Sequence, residues 1–194
     1  MNTQPLPANT GVRARQAPLR ATYRSDPAQA LVTDIAWTQG EGDLASPMLG
    51  RVHFGSHAAA HADYGVHHAI GGTHVAPVPG DLLCAALASC QESSLRMVAD
   101  VLGIELVRLG VTVRGHVDVR GTLGDPLVPV AFHSFEVSVQ LRVAPDTHPQ
   151  RLRQLYRAAE RACVVLQTLR AGVPVSVAFD APEPGSTFST GAMP

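Results

Sequence analysis

The chain has 194 residues, 45% of them hydrophobic and 16% charged, which fits one globular domain and excludes disorder as a general description. A domain of this length buries about 70% of the surface its unfolded chain would expose, so its core needs neither a disulfide framework nor a structural metal. Fifteen basic residues against sixteen acidic ones leave a net charge of -1, too balanced to neutralise a phosphate backbone or an anionic bilayer, and nucleic acid and membrane are not expected partners.

Residues 1–28 are rich in Pro, Arg and Ala without a period and read as an extended N-terminal arm. Residues 29–180 read as a single domain, and 181–194, with Pro, Gly, Ser and Thr throughout, as a flexible tail. A first strand pair is expected at Ala30 to Thr38 and Leu49 to Phe54, followed by a Gly- and His-rich loop through His74. Pro77, Pro79 and Gly80 then prepare a helix from about Asp81 to Leu102, with Leu83, Leu87, Cys90, Ser94, Met97 and Val101 as its apolar stripe and Gly103 as its stop. Two period-two segments follow, Val111 to Val119 and Phe135 to Val143, then a second helix from Thr147 or Pro149 to Gly172 and a last strand from Val175 to Phe179. The order of strands and helices predicts an α+β fold.

All the basic residues are arginine, so Schiff-base and phosphate-loop lysine chemistry is excluded. No stretch reaches the roughly 18 to 20 apolar residues of a membrane span, and MNTQPLPANT lacks the pattern of a secretory leader, so a cytoplasmic location is expected. In that reducing compartment Cys84, Cys90 and Cys163 are free thiols, or a catalytic pair and a spare. Cys90 and Cys163 each lie on the apolar stripe of a different helix, where two thiols meet if the helices pack face to face; buried cysteine also serves as an ordinary small hydrophobe. Cys84 sits about 120° around the helix from Cys90 and reads as packing.

The segment from Gly71 to Cys90, GGTHVAPVPGDLLCAALASC, resembles the GG...P-P-x-E/D-L-L-x-A-A-L-A-x-C pattern of the OsmC/Ohr family, the osmotically inducible and organic hydroperoxide resistance proteins. Ala159 to Val175, AERACVVLQTLRAGVPV, is similar to the family's second cysteine segment. The resemblance implies an intertwined homodimer with long central helices packed between antiparallel sheets and an active site between the subunits. It implies that Cys90 is the peroxidatic cysteine, that Cys163 resolves its sulfenic acid into a disulfide, that organic hydroperoxides are the substrates, and that a dithiol regenerates the enzyme. No cofactor is implied.

A thiol near pKa 8.5 is only a few per cent thiolate at pH 7, so Cys90 needs a cation. It lies too far into its helix for the macrodipole to help. In the family an arginine upstream of the helix supplies the charge; Arg20, Arg24 and Arg51 are the candidates, with Arg24 preferred. The family glutamate that orients the arginine falls at Gly80 here, leaving Asp81 as the adjacent carboxylate, either as its substitute or as a helix cap. Val164 stands where the family has proline. The glutamate missing at Gly80 leaves open a non-catalytic module of the same fold that binds a small apolar ligand or senses redox state. His53, His57, His61, His67, His68 and His74 offer a separate, metal-binding reading; Gly55 and Gly65 argue against the helix that would align His57 with His61, and no metal is expected.

Overall fold

The computed structural model describes residues 11–40, 47–55 and 60–178. In chain order these form α1 (Val12–Ser25), β1 (Ala36–Trp37), β2 (Leu49–Phe54), β3 (His61–Gly65), α2 (Pro79–Leu102), β4 (Leu106–Val117), β5 (Phe132–Val143), α3 (Pro149–Ala162) and α4 (Val164–Ala171). Strands β1, β2 and β3 make one antiparallel sheet, and β4 and β5 a long antiparallel pair. The class is the expected α+β.

Helix α2 organises the rest. Pro79 opens it, and the Asp81 carboxylate accepts the Val78 N–H at 2.9 Å, satisfying a donor that helix geometry leaves orphaned. Gly103, at φ 61, closes it in the left-handed conformation. The helix packs against β4 and α3, and its C-terminal half meets Leu155 and Ala159 of α3 and Ile104 in a closed apolar core. Its buried residues are Leu87, Gln91, Ser94, Leu95 and Ala99. This corrects the expected stripe: Met97 is exposed, and the contact follows the four-residue row 87, 91, 95, 99. The helix carries apolar residues on several sides, so periodicity alone does not select the row that docks.

Five further expectations are corrected. Residues 12–25 are helical rather than extended: the segment is rich in strong helix formers, Arg20 bonds Gln16 one turn back at 2.9 Å, and Asp100 of α2 caps the first turn by accepting the Val12 N–H at 2.7 Å. The strand expected over Ala30 to Thr38 shrinks to Ala36–Trp37. Strand β3 lies inside the expected His-rich loop, paired with β2 through an Arg51–Asp63 ion pair of 2.7 Å and with the Tyr64 ring lying over Gly50.

The fourth concerns the C-terminal helix, which breaks at Cys163, where φ -78 and ψ 99 are extended. Two β-branched residues, Val164 and Val165, follow. Two side chains bridge the break: Gln167 donates to the Glu160 carbonyl at 2.8 Å, and Arg170 to the Glu160 carboxylate at 2.7 Å. Val175 and Val177 belong to no strand, and Phe179, like His57 and the expected tail 181–194, lies outside the described residues. Among the described residues no helix is long and apolar enough to cross a membrane.

Candidate functional site

The break at Cys163 has a chemical consequence. The residue ends α3 and begins α4, and α4 packs on α2, so its sulfur arrives at Cys90. Cys90 is among the groups that act on the Cys163 thiol, so the two sulfurs lie within interaction reach. Both cysteines are reduced. Thus the two thiols that sequence spacing made possible neighbours are brought together, by a kink rather than by two straight helices face to face.

Their environments differ. Cys163 is 0% exposed, whereas Cys90 is half-buried. Burial pushes the Cys163 thiol above its ordinary range; the Leu166 backbone N–H pulls it down, and the hydrogen bond to Cys90 raises it again. Burial and the neighbouring Cys90 therefore both hold the proton on Cys163. Cys84, also half-buried, lies nearer the N-terminus of α2.

The candidate cations stand elsewhere in the chain. Arg24 lies in the last turn of α1, a helix with no buried residue, and makes no hydrogen bond or ion pair with either thiol. Arg20 is bonded to Gln16. Arg51 is paired with Asp63, whose carboxyl its hydrogen bond holds below the usual carboxylate range. Asp81 has its carboxylate on the Val78 N–H, with His74 Nε2 at 3.4 Å, so it acts as the helix cap.

Position 80 is sterically tight. A Cβ on Gly80 would lie 3.0 Å from the Phe132 ring. That ring cannot readily retreat, because it packs at 4.9 Å on Phe135 and lies over Gly115, where a Cβ would come within 2.7 Å of it. Two glycines thus form a slot for Phe132, and the ring fills the start of the space that a glutamate side chain at 80 would take.

Sequence reasoning missed the Glu160–Arg170 pair. Ten residues apart on a straight helix, their Cα atoms would be about 15 Å distant; only the kink joins them, and no local spacing rule flags that. The pair lines a hollow of about 550 Å³ with Gln91, Leu87, Phe135 and Tyr156. Leu87 and Gln91 are the helix neighbours of Cys90. The Gln91 Oε1 is buried without a hydrogen-bond partner, an arrangement that costs about 1–3 kcal/mol.

Several solved structures share this architecture. An organic hydroperoxide resistance protein OsmC from Legionella pneumophila is 23% identical, with a TM-score of 0.50 over 72% of this chain and 90% of that one. An organic hydroperoxide resistance protein from Elizabethkingia anophelis is 18% identical, with a TM-score of 0.53 over 73% and 91%. An OsmC-like protein from Vibrio cholerae is 12% identical, with a TM-score of 0.54 over 71% and 94%. At these identities the likeness is one of fold. No curated protein matches the chain. The family described as OsmC-like protein matches residues 71–178, more than half the sequence and the stretch that contains both Cys90 and Cys163, and the chain therefore belongs to the OsmC-like family.

Proposed function

We propose that the protein is a cysteine-based peroxidase that reduces organic hydroperoxides. The observation that carries this reading is the proximity of a half-buried Cys90 and a fully buried Cys163; the organic hydroperoxide resistance proteins among its structural neighbours support it. Cys90 thiolate attacks one peroxide oxygen; the O–O bond breaks, the sulfur is oxidised to sulfenic acid, and the alkoxide takes a proton and leaves as the alcohol. The Cys163 sulfur then attacks the sulfenic sulfur, forming the disulfide and releasing water. An external dithiol returns both thiols to the reduced state by exchange, which requires a reducing compartment such as the cytoplasm.

The hollow beside Cys90 is walled by Leu87, Phe135, Tyr156 and other apolar side chains, which favours bulky apolar peroxides over hydrogen peroxide. Asp81 is a positioning residue, fixing the start of the helix that carries Cys90. The cation that stabilises the thiolate and the departing alkoxide is Arg24, delivered from α1 of the second subunit of an intertwined homodimer; that α1 has no buried residue fits a helix that packs on another chain. Arg170 is the alternative within one chain, because it lines the hollow with Gln91.

The second reading, a non-catalytic ligand-binding or redox-sensing module, is favoured by one observation: Phe132 stands where a side chain at position 80 would go. Reduced protein mixed with cumene hydroperoxide separates the two. The peroxidase loses two thiols per chain rapidly, and Cys90→Ser abolishes that loss; thiols that survive excess hydroperoxide would leave only the binding module. Arg24→Ala and Arg170→Ala assign the cation: the responsible variant slows thiol consumption by on the order of a hundredfold, and the other leaves it near the parent rate.

A further inference from the structure

Three of the six clustered histidines converge at the far end of α2. His67 and His68 come from the short turn after β3, and His74 from the approach to Pro79; one ring nitrogen of each lies within 4.8 Å of the others. Their rings are in contact, with centroids 4.3 Å apart for His67–His68, 4.8 Å for His67–His74 and 5.7 Å for His68–His74. Three imidazoles this close bring their ring nitrogens toward one point.

The loop is built to hold that convergence. The Gly72 N–H bonds the His67 carbonyl at 3.0 Å and the His74 N–H bonds the Val66 carbonyl at 3.1 Å, folding the chain back on itself. Gly72 is packed so closely that a Cβ there would meet the Val66 carbonyl oxygen at 2.0 Å. His74 itself sits at φ 52, the one non-glycine residue at positive φ among the described residues, a conformation that costs free energy and turns the chain at this residue.

The ring nitrogens are also divided between structure and solvent. His67 Nδ1 accepts the Ala69 N–H at 3.0 Å, so its lone pair is engaged and the neutral ring carries its proton on Nε2; to ligate a metal this ring gives up the bond to Ala69. His74 Nε2 lies 3.4 Å from the Asp81 carboxylate, which leaves Nδ1. A carboxylate behind one imidazole nitrogen, orienting the ring while the other nitrogen points away, is the arrangement that supports metal-binding histidines. A tetrahedral cation bound at about 2.0–2.1 Å needs nitrogens roughly 3.3 Å apart, so the rings must close by about 1.5 Å. His68 and His74 are exposed, free to make that adjustment and accessible to an ion.

We propose that His67, His68 and His74 bind a divalent transition-metal cation of the zinc class, with water completing the coordination and Asp81 orienting His74. Nitrogen ligands select zinc, cobalt, nickel and copper over magnesium and calcium, which prefer oxygen. The site lies at the start of α2, whereas Cys90 is about 16 Å along the helix from Pro79, so it is separate from the thiol pair.

Calorimetric titration of the full reduced chain with Zn²⁺, paralleled by Co²⁺ absorption spectroscopy, tests this. The expected result is one ion per chain, Co²⁺ bands without thiolate charge transfer, and an affinity lowered on the order of tenfold or more by His68→Asn and by His74→Gly, while Cys90→Ser changes nothing. Glycine is used at 74 because it accepts the positive φ, and an unchanged thermal melt for each variant separates loss of a ligand from loss of fold. Substoichiometric binding, or binding that disappears with Cys90→Ser and persists in the histidine variants, would overturn the proposal.

Discussion

The two halves of α2 meet different surroundings. From Leu95 to Leu102 the helix is anchored: Leu95 and Ala99 close against Leu155, Ala159 and Ile104 in an apolar core. From Pro79 to Gln91 it lies outside that core: Leu87 and Gln91 are buried, but Ala85, Ala86 and Ser89 are exposed, Cys90 is half-buried and the Gln91 Oε1 is unpartnered. The same division runs through the C-terminal helices, because α3 contributes buried residues while α4 contributes none. Cys163 stands at that boundary. The lesson is one of division of labour: a packed end fixes the helix, and the open end carries a thiol that a small substrate can reach.

The comparison predicts unequal responses to mutation. Leu155→Ala, at the anchored end, should cost about 2–5 kcal/mol in urea unfolding, whereas Ala85→Ser, on the open half, should lie within about 0.5 kcal/mol of the parent. Similar costs at both sites would erase the distinction. Gly80→Glu comes next: forcing a side chain against the confined Phe132 ring should cost about 1–3 kcal/mol, and Phe132→Ala in the same chain should recover part of it. Full additivity of the two substitutions would show that ring and side chain never compete for the space.

Asp100→Ala removes the carboxylate that caps α1 and should cost about 1 kcal/mol, with increased amide exchange confined to the first turn of α1. The smallest effect concerns pH. The Cys163 thiol is raised above its reference value of 9.0, so the folded state holds this proton more tightly than the unfolded chain. Its stabilising contribution is whole below pH 9.0 and is lost as pH rises through the elevated folded value. Unfolding free energy should therefore decline on the alkaline side, and Cys163→Ala should flatten that decline.

What sequence could foretell follows the range of the forces involved. Strand β2 and the stop of α2 were legible at Leu49–Phe54 and Gly103 because hydrophobic alternation and a left-handed glycine are local signals. Both cysteines were legible through resemblance. Strand β3 was not, because its apolar face is only Ala62 and Tyr64, too short a run to stand out in a Gly- and His-rich stretch, and it is held by its pairing with β2. The kink at Cys163 was also hidden, since no proline or glycine marks it; bonds from Gln167 and Arg170 back to Glu160 bridge it. The docking row of α2 depended on which neighbours cover a helix that is apolar on several sides.

The pairing of Cys90 with Cys163 is tested most directly by mapping the disulfide after one equivalent of cumene hydroperoxide. No arginine or lysine lies between Arg51 and Arg96, so Cys84 and Cys90 share one tryptic peptide; Cys84→Ser protein removes the ambiguity. Mass spectrometry should then find the 52–96 peptide joined to the peptide that contains Cys163, and the oxidised protein should run as a single chain on a non-reducing denaturing gel. Unmodified thiols, or a disulfide joining Cys90 of one chain to Cys90 of another, would contradict the account.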